Sequence, residues 1–118
     1  MRTILIAGSR GIKEAEYQIG VWLWLLRGST DVLVISGGAK GVDVSARDVC
    51  SRLNIPFQEF PADWDKHGKA AGYIRNEVMV KKCSEAFIIW DGESRGTKHT
   101  IDLLLKYKKP FRISFDVI

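Results

Sequence analysis

The sequence predicts an α/β protein, a three-layer αβα sandwich around a mainly parallel five-stranded sheet, with residues 1–118 forming one domain. Three observations predict it. Strand-like and helix-like segments alternate from end to end. The strand-like segments are almost continuously apolar, as expected for strands covered on both faces. Turns rich in glycine, hydroxyl and charged residues follow the strands, while the turns at the opposite edge are short and plain.

Thr3 to Ala7 (TILIA) is an apolar run closed by Gly8, which reads as a buried strand. Glu14 to Arg27 is long enough for a helix and ends at Gly28, a C-terminal cap residue. Asp31 to Ser36 (DVLVIS) is rich in β-branched residues and reads as the second strand. Val42 to Leu53 carries Val42, Ala46, Val49, Cys50 and Leu53 at helical spacing. Pro56 to Phe60 is the third strand and Pro61 to Gly68 a polar loop. Ala71 to Cys83 reads as a helix with Ile74, Val78 and Met79 facing inward. Glu85 to Trp90 is the fourth strand, Thr97 to Tyr107 a helix bearing Ile101, Leu104 and Leu105, and Pro110 to Phe115 the last strand. The order β-α-β-α-β-α-β-α-β calls for parallel strands joined by crossovers with helices on both faces, a Rossmann-like arrangement. In such sheets ligands bind beyond the carboxyl ends of the strands, where the strand order reverses.

Composition narrows the function classes. The longest apolar stretch, Val21 to Leu26, is far too short to span a bilayer, and the N-terminus runs straight into a strand, so a cytoplasmic protein without membrane attachment is expected. Cys50 and Cys83 form no CxxC pair and read as buried, reduced thiols. His67 and His99 have no ligand-like spacing to either cysteine, so no metal site is expected. The net charge of +4 favours anionic partners without choosing among nucleotide, nucleic acid and acidic surface. Trp22 and Trp24 fall on opposite sides of a helix that is apolar nearly all round, which points to self-association, as a dimer, through Glu14 to Arg27, with a less exposed arrangement within the monomer as the alternative.

The chemistry is expected at the strand ends. Ser36-Gly37-Gly38-Ala39-Lys40-Gly41-Val42-Asp43 lies between a strand and a helix, where glycines let backbone amides approach phosphate oxygens. It matches neither GxGxxG nor GxxxxGK[ST], and a tight turn with Asp43 as a helix-start charge is the plainer reading. Gly8-Ser9-Arg10 follows the first strand and offers a guanidinium. In Asp91-Gly92-Glu93-Ser94-Arg95-Gly96-Thr97, Ser94, Gly96 and Thr97 can serve a phosphate or simply cap the helix. Asp63 and Trp64 offer a carboxylate for a ribose and a ring for stacking, although Trp64 equally suits the edge of the core. Arg75, Asn76 and Glu77 open the third helix and on their own read equally as a solvated face; the family resemblance that these motifs carry together is the main reason to place Arg75 and Asn76 in the candidate binding set.

Together GSR, SGGAKGVD, PADWDKHGKAAGYIRN and WDGESRGT resemble the small YspA-like branch of the SLOG superfamily. That superfamily also holds the "lonely guy" phosphoribohydrolases, the lysine-decarboxylase-like proteins and the DNA-processing protein of transformation. The likeness runs from Ile4 to Pro110. It implies a Rossmann-like sheet that binds nucleotides or nucleotide-derived ligands, often as a dimer, in bacteria and their phages. In the phosphoribohydrolases an arginine on the third helix and a glutamate after a PGGxGT motif cleave the glycosidic bond. Arg75 matches the arginine. Lys98, His99 and Thr100 stand where the glutamate would fall.

Three functions follow as expectations. The first is binding or sensing of a nucleotide-type ligand, such as one derived from NAD or ADP-ribose, with no further cofactor required. The second is hydrolysis of a nucleoside monophosphate at its N-glycosidic bond, for which Asp91, Glu93 and Glu77 are the candidate catalytic carboxylates. The third is binding of single-stranded nucleic acid. Binding ranks first because it needs only the strand-end loops.

Overall fold

In the computed structural model, which describes residues 1–12, 15–38 and 40–115, five strands and five α-helices follow one another along the chain. They are β1 (Arg2–Gly8), α1 (Glu16–Leu23), β2 (Val32–Ser36), α2 (Val42–Leu53), β3 (Phe57–Glu59), α3 (Trp64–His67), α4 (Ala71–Lys82), β4 (Glu85–Trp90), α5 (Arg95–Lys106) and β5 (Phe111–Phe115). The sheet order is β3-β2-β1-β4-β5 and every pairing is parallel. The order therefore reverses between β1 and β4, which opens a crevice at their carboxyl ends.

Alternation along the central strands divides the core into two layers. Ile4, Ile6, Val32, Val34, Phe87 and Ile89 join Ile19 and Leu23 of α1 and Val42, Ala46, Val49 and Cys50 of α2 on one face. Leu5, Ala7, Ile35, Ala86 and Ile88 join Met79 and Val80 of α4 and Ile101, Leu103 and Leu104 of α5 on the other. The apolar runs of β1, β2 and β4 are thus covered on both sides, whereas the edge strands β3 and β5 hold no fully buried residue. Both cysteines are buried and free, and burial pushes the Cys50 thiol up from 9.0 to about 12.

Several expectations need correction. Glu14 lies outside the described residues, and the first helix gives way after Leu23 to a 3-10 turn over Trp24–Leu26. Trp22 packs on Phe87 with ring centroids 5.0 Å apart. Tyr17, Val21, Trp24 and Leu25 stay exposed. The expected loop from Pro61 to Gly68 holds only as far as Asp63: its carboxylate accepts the Lys66 amide at 3.1 Å and starts α3, which a 3-10 turn over Gly68–Ala70 joins to α4. Ile74 and Val78 face outward and are 41% and 47% exposed. The inward face of α4 is Ala71, Asn76, Met79 and Val80, because that face must meet both the sheet and α5. On α5, Leu103 is buried and Leu105 exposed, so the buried stripe differs from the expected one. Among the described residues no helix is long and apolar enough to cross a membrane.

Two glycines hold the crevice closed from below. A Cβ on Gly8 would lie 2.6 Å from Val42 Cγ2 and would also strike the Ile89 carbonyl, so β1, β4 and α2 meet only because no side chain intervenes. Gly41 has φ +76° and would place a Cβ 2.6 Å from the Arg10 carbonyl oxygen. Gly8→Ala should accordingly cost about 1–3 kcal/mol of stability. A urea midpoint equal to that of the parent would contradict this packing. The two thiols should resist Ellman's reagent in the native protein at neutral pH and react only on unfolding; rapid native labelling would show one of them accessible.

Candidate functional site

A cleft of about 280 Å³ opens at the carboxyl ends of the strands, over the β1/β4 reversal. Its floor is Ala7 and Gly8 at the end of β1 and Gly37 just after β2. Arg10 stands on one side, and Ser94, Gly96, Thr97 and Thr100 of the α5 start stand on another. Helix α4 contributes Gly72, Tyr73, Arg75, Asn76 and Met79, while Trp64 and Lys69 form the outer rim. Asp43, in the first turn of α2, supplies a carboxylate that is only 7% exposed.

Arg75 is the best-defined group in the cleft. Its Nη1 donates to the carbonyl of Gly37 and, at 3.3 Å, to that of Phe60, while its Nε donates to Asn76 Oδ1 at 3.0 Å. The guanidinium thus ties α4 to the chain leaving β2 and β3. Gly37 makes this approach feasible, since a Cβ there would lie 2.7 Å from Arg75 Nη1. Burial lowers the Arg75 pKa most; the Asp43 charge opposes this, the nearby Arg10 charge adds to it, and Glu59 opposes it again. Asn76 is 7% exposed, its Nδ2 lies 3.4 Å from His99 Nδ1, and the His99 ring packs tilted by 44° against Tyr73, with centroids 4.4 Å apart.

The structure brings Gly8, Arg10, Gly37, Asp43, Trp64, Arg75, Asn76, Ser94, Gly96 and Thr97 of the sequence-derived set to this one cleft. Others support it without lining it. Ser36 Oγ donates to the Ile6 carbonyl at 2.8 Å within the sheet. Ser9 Oγ accepts the Asp91 amide at 3.1 Å and joins the loops after β1 and β4. Gly38, with φ +75°, lies against the Glu59 side chain, Gly41 lies against the Arg10 carbonyl, and Asp63 caps α3. Ala39 lies outside the described residues.

The three candidate catalytic carboxylates are placed differently. The Asp91 carboxylate accepts the amides of Ser94 and Glu93, each at 2.8 Å, and these bonds hold it below the usual carboxylate range. Glu93 is exposed and does not line the cleft. Glu77 accepts the Tyr107 hydroxyl at 3.0 Å and lies 3.9 Å from Lys106 Nζ, also outside the cleft. Sequence reasoning missed Lys69, Tyr73, Thr100 and the His99 contact. Tyr73 and His99 lie on different helices, and no spacing rule links them. Thr100, one turn after Gly96 on α5, was legible in principle, and its hydroxyl donates to the Gly96 carbonyl at 3.2 Å.

Gly37→Ala and Arg75→Ala remove the same interaction, so their effects on stability should not add. The double variant should be no less stable than the weaker single one, within about 0.5 kcal/mol. Full additivity in urea denaturation would separate the two residues.

No family model matches the chain. The Gene 61 protein of Mycobacterium phage D29 is 34% identical over an alignment of 113 positions that covers 84% of this chain and 85% of that protein. Among solved structures, DNA processing protein A (DprA) of Streptococcus pneumoniae superposes with a TM-score of 0.76 at 14% identity, over 96% of this chain and 50% of that one. DprA of Helicobacter pylori, a protein that binds single-stranded DNA, gives 0.73 at 18% identity, over 95% and 64%. TM1055 gives 0.70 at 16% identity, over 94% and 72%. The chain thus spans one half to just under two thirds of the DprA proteins it matches, and at these identities the likeness is one of fold.

Proposed function

Because the chain belongs to the family of the Gene 61 protein of Mycobacterium phage D29 and has a SLOG-type fold, we propose that its strand-end cleft binds the phosphate-bearing part of a nucleotide-type ligand. One observation carries the reading: two arginines, the start of α5 and a buried carboxylate converge on a single cleft. The amides at the start of α5 and the helix dipole attract an anion there. Arg10 and Arg75 supply charge-assisted donors worth about 1.5–3 kcal/mol each, enough for a ligand in the micromolar to millimolar range. Asp43 offers an acceptor for hydroxyl or amine hydrogens on the rest of the ligand, and Tyr73 and Trp64 offer faces for a base.

Size sharpens the class. A cleft of about 280 Å³ lies at the low end of small-molecule sites, which run from roughly 300 to 1,000 Å³. That size favours a mononucleotide over a dinucleotide such as NAD. Binding is favoured over glycosidic cleavage because none of Glu77, Asp91 and Glu93 is among the residues lining the cleft, and two loop amides hold one oxygen, Oδ1, of the Asp91 carboxylate.

A second reading has its own support. Trp64, Lys69, Tyr73 and Arg10 set rings and cations together around the cleft, the pattern that grips single strands. In this reading the cleft takes one nucleotide of a chain.

A thermal-shift series decides between them. A mononucleotide at 100 times its dissociation constant should stabilise the fold by about 2.7 kcal/mol. Arg10→Ala should weaken binding about tenfold or more, the loss of one charge-assisted contact. No atom lies within 4 Å of the position a Cβ on Gly96 would take, so Gly96→Ala should keep or raise stability while crowding the ligand. Affinity that grows with oligonucleotide length and falls steeply with salt would favour the strand-binding reading. No stabilisation by any nucleotide or oligonucleotide would sink both.

A further inference from the structure

We infer that His99 is a positioning residue for the cleft: its unprotonated Nδ1 receives the Asn76 amide and thereby aims Asn76 Oδ1 at the Arg75 guanidinium. The inference rests on the anion-binding reading only where it touches affinity; the hydrogen-bond chain itself stands apart from it.

Arg75 Nε carries a hydrogen at any physiological pH, so the Asn76 atom facing it at 3.0 Å must be the carbonyl oxygen. That fixes the amide. Its NH2 end then faces His99 Nδ1 at 3.4 Å, and a donor there requires a ring nitrogen with a free lone pair. Neutral His99 with its proton on Nε2 satisfies this requirement; the imidazolium, with hydrogens on both nitrogens, does not. Protonation would set two donors against each other. Relief by turning the Asn76 amide would present its NH2 to Arg75 Nε, again donor against donor. The chain Arg75–Asn76–His99 therefore has one consistent arrangement, and it needs neutral histidine.

The surroundings agree. Asn76 is buried, so water cannot readily replace a lost partner. The Tyr73 ring holds the imidazole in place from α4. Burial lowers the His99 pKa from 6.5, more than the charges of Asp102 on its own helix and Glu77 on α4 raise it. The neutral form is thus the resident one at neutral pH. On acidification the unfolded chain takes up the proton first, so stability is full above about pH 6.5 and falls as the pH drops towards the native value.

The test uses the full chain labelled with 15N, at about pH 7.5 and about pH 5. Long-range proton–nitrogen spectra should show Nδ1 of His99 bare and Nε2 protonated at the higher pH. The Arg75 Nε–H signal should be protected there and broaden as His99 titrates. His99→Asn, which presents Oδ1 where the ring presents Nδ1, should keep that signal at both pH values; His99→Leu should lose it at both. A proton on Nδ1 of neutral His99, or an Arg75 signal indifferent to the titration, would overturn the assignment. Sulfate, whose charge does not change over this range, serves as the anion probe. Its affinity should fall about tenfold on acidification in the parent and stay level in His99→Asn. Equal sulfate affinity at both pH values with a titrating Arg75 signal would overturn the link from positioning to binding. No sulfate binding at either pH with that signal titrating would overturn the anion reading and leave His99 in its positioning role.

Discussion

A guanidinium laid against a residue with no side chain is the contact on which the rest of the site depends. Arg75 reaches the ends of β2 and β3 only because Gly37 leaves room, and there it meets two backbone carbonyls just beyond the strands. The contact does two things at once. It fastens α4 over the strand ends, and it places a cation, partly withdrawn from water, at the floor of the cleft. A lysine in its place could not span the same acceptors, because it offers a point charge where the geometry asks for a planar fork.

The division of labour among the glycines follows from that scaffold. Gly8 and Gly41 let β1, β4 and α2 come together, and Gly37 admits Arg75. Gly96 differs from these. Nothing lies within 4 Å of the position its Cβ would take, although a helix interior would ordinarily favour alanine. Gly96 shares this open space with Gly92 of the same turn, but of the two it is Gly96 that lines the cleft. The glycine-bearing turns look alike in the sequence; only the three-dimensional neighbours separate glycines that packing requires from those it does not.

Much of the fold was legible because it rests on local pattern. Val42 to Leu53 shows a clear helical stripe that marks both ends of α2, and the apolar strands pair as doubly covered strands must. Helix α4 misleads where pattern and function part. Its inward face sets the polar Asn76 among Ala71, Met79 and Val80, so hydrophobicity alone turns the helix towards Ile74 and Val78. Helix α3 escapes a sequence reading because four residues are too few to show a period, and only the Asp63 cap marks it. The Tyr73–His99–Asn76 cluster bridges two helices, and no reading of one segment at a time contains it.

Charge balance is what the proposed anion-binding role of the cleft rests on. Arg10, Lys69 and Arg75 line it against one carboxylate, that of Asp43. Burial and the neighbouring Arg10 both disfavour the charge on Arg75, and Asp43 and Glu59 offset this only in part. A phosphate placed between Arg10, Arg75 and the start of α5 would reverse that imbalance and favour the charged form. It would do so without asking the guanidinium to move, because the backbone carbonyls and Asn76 already hold it in place. On the proposed reading, the ordering cost of the central cation is met before an anion arrives, because these contacts already hold Arg75.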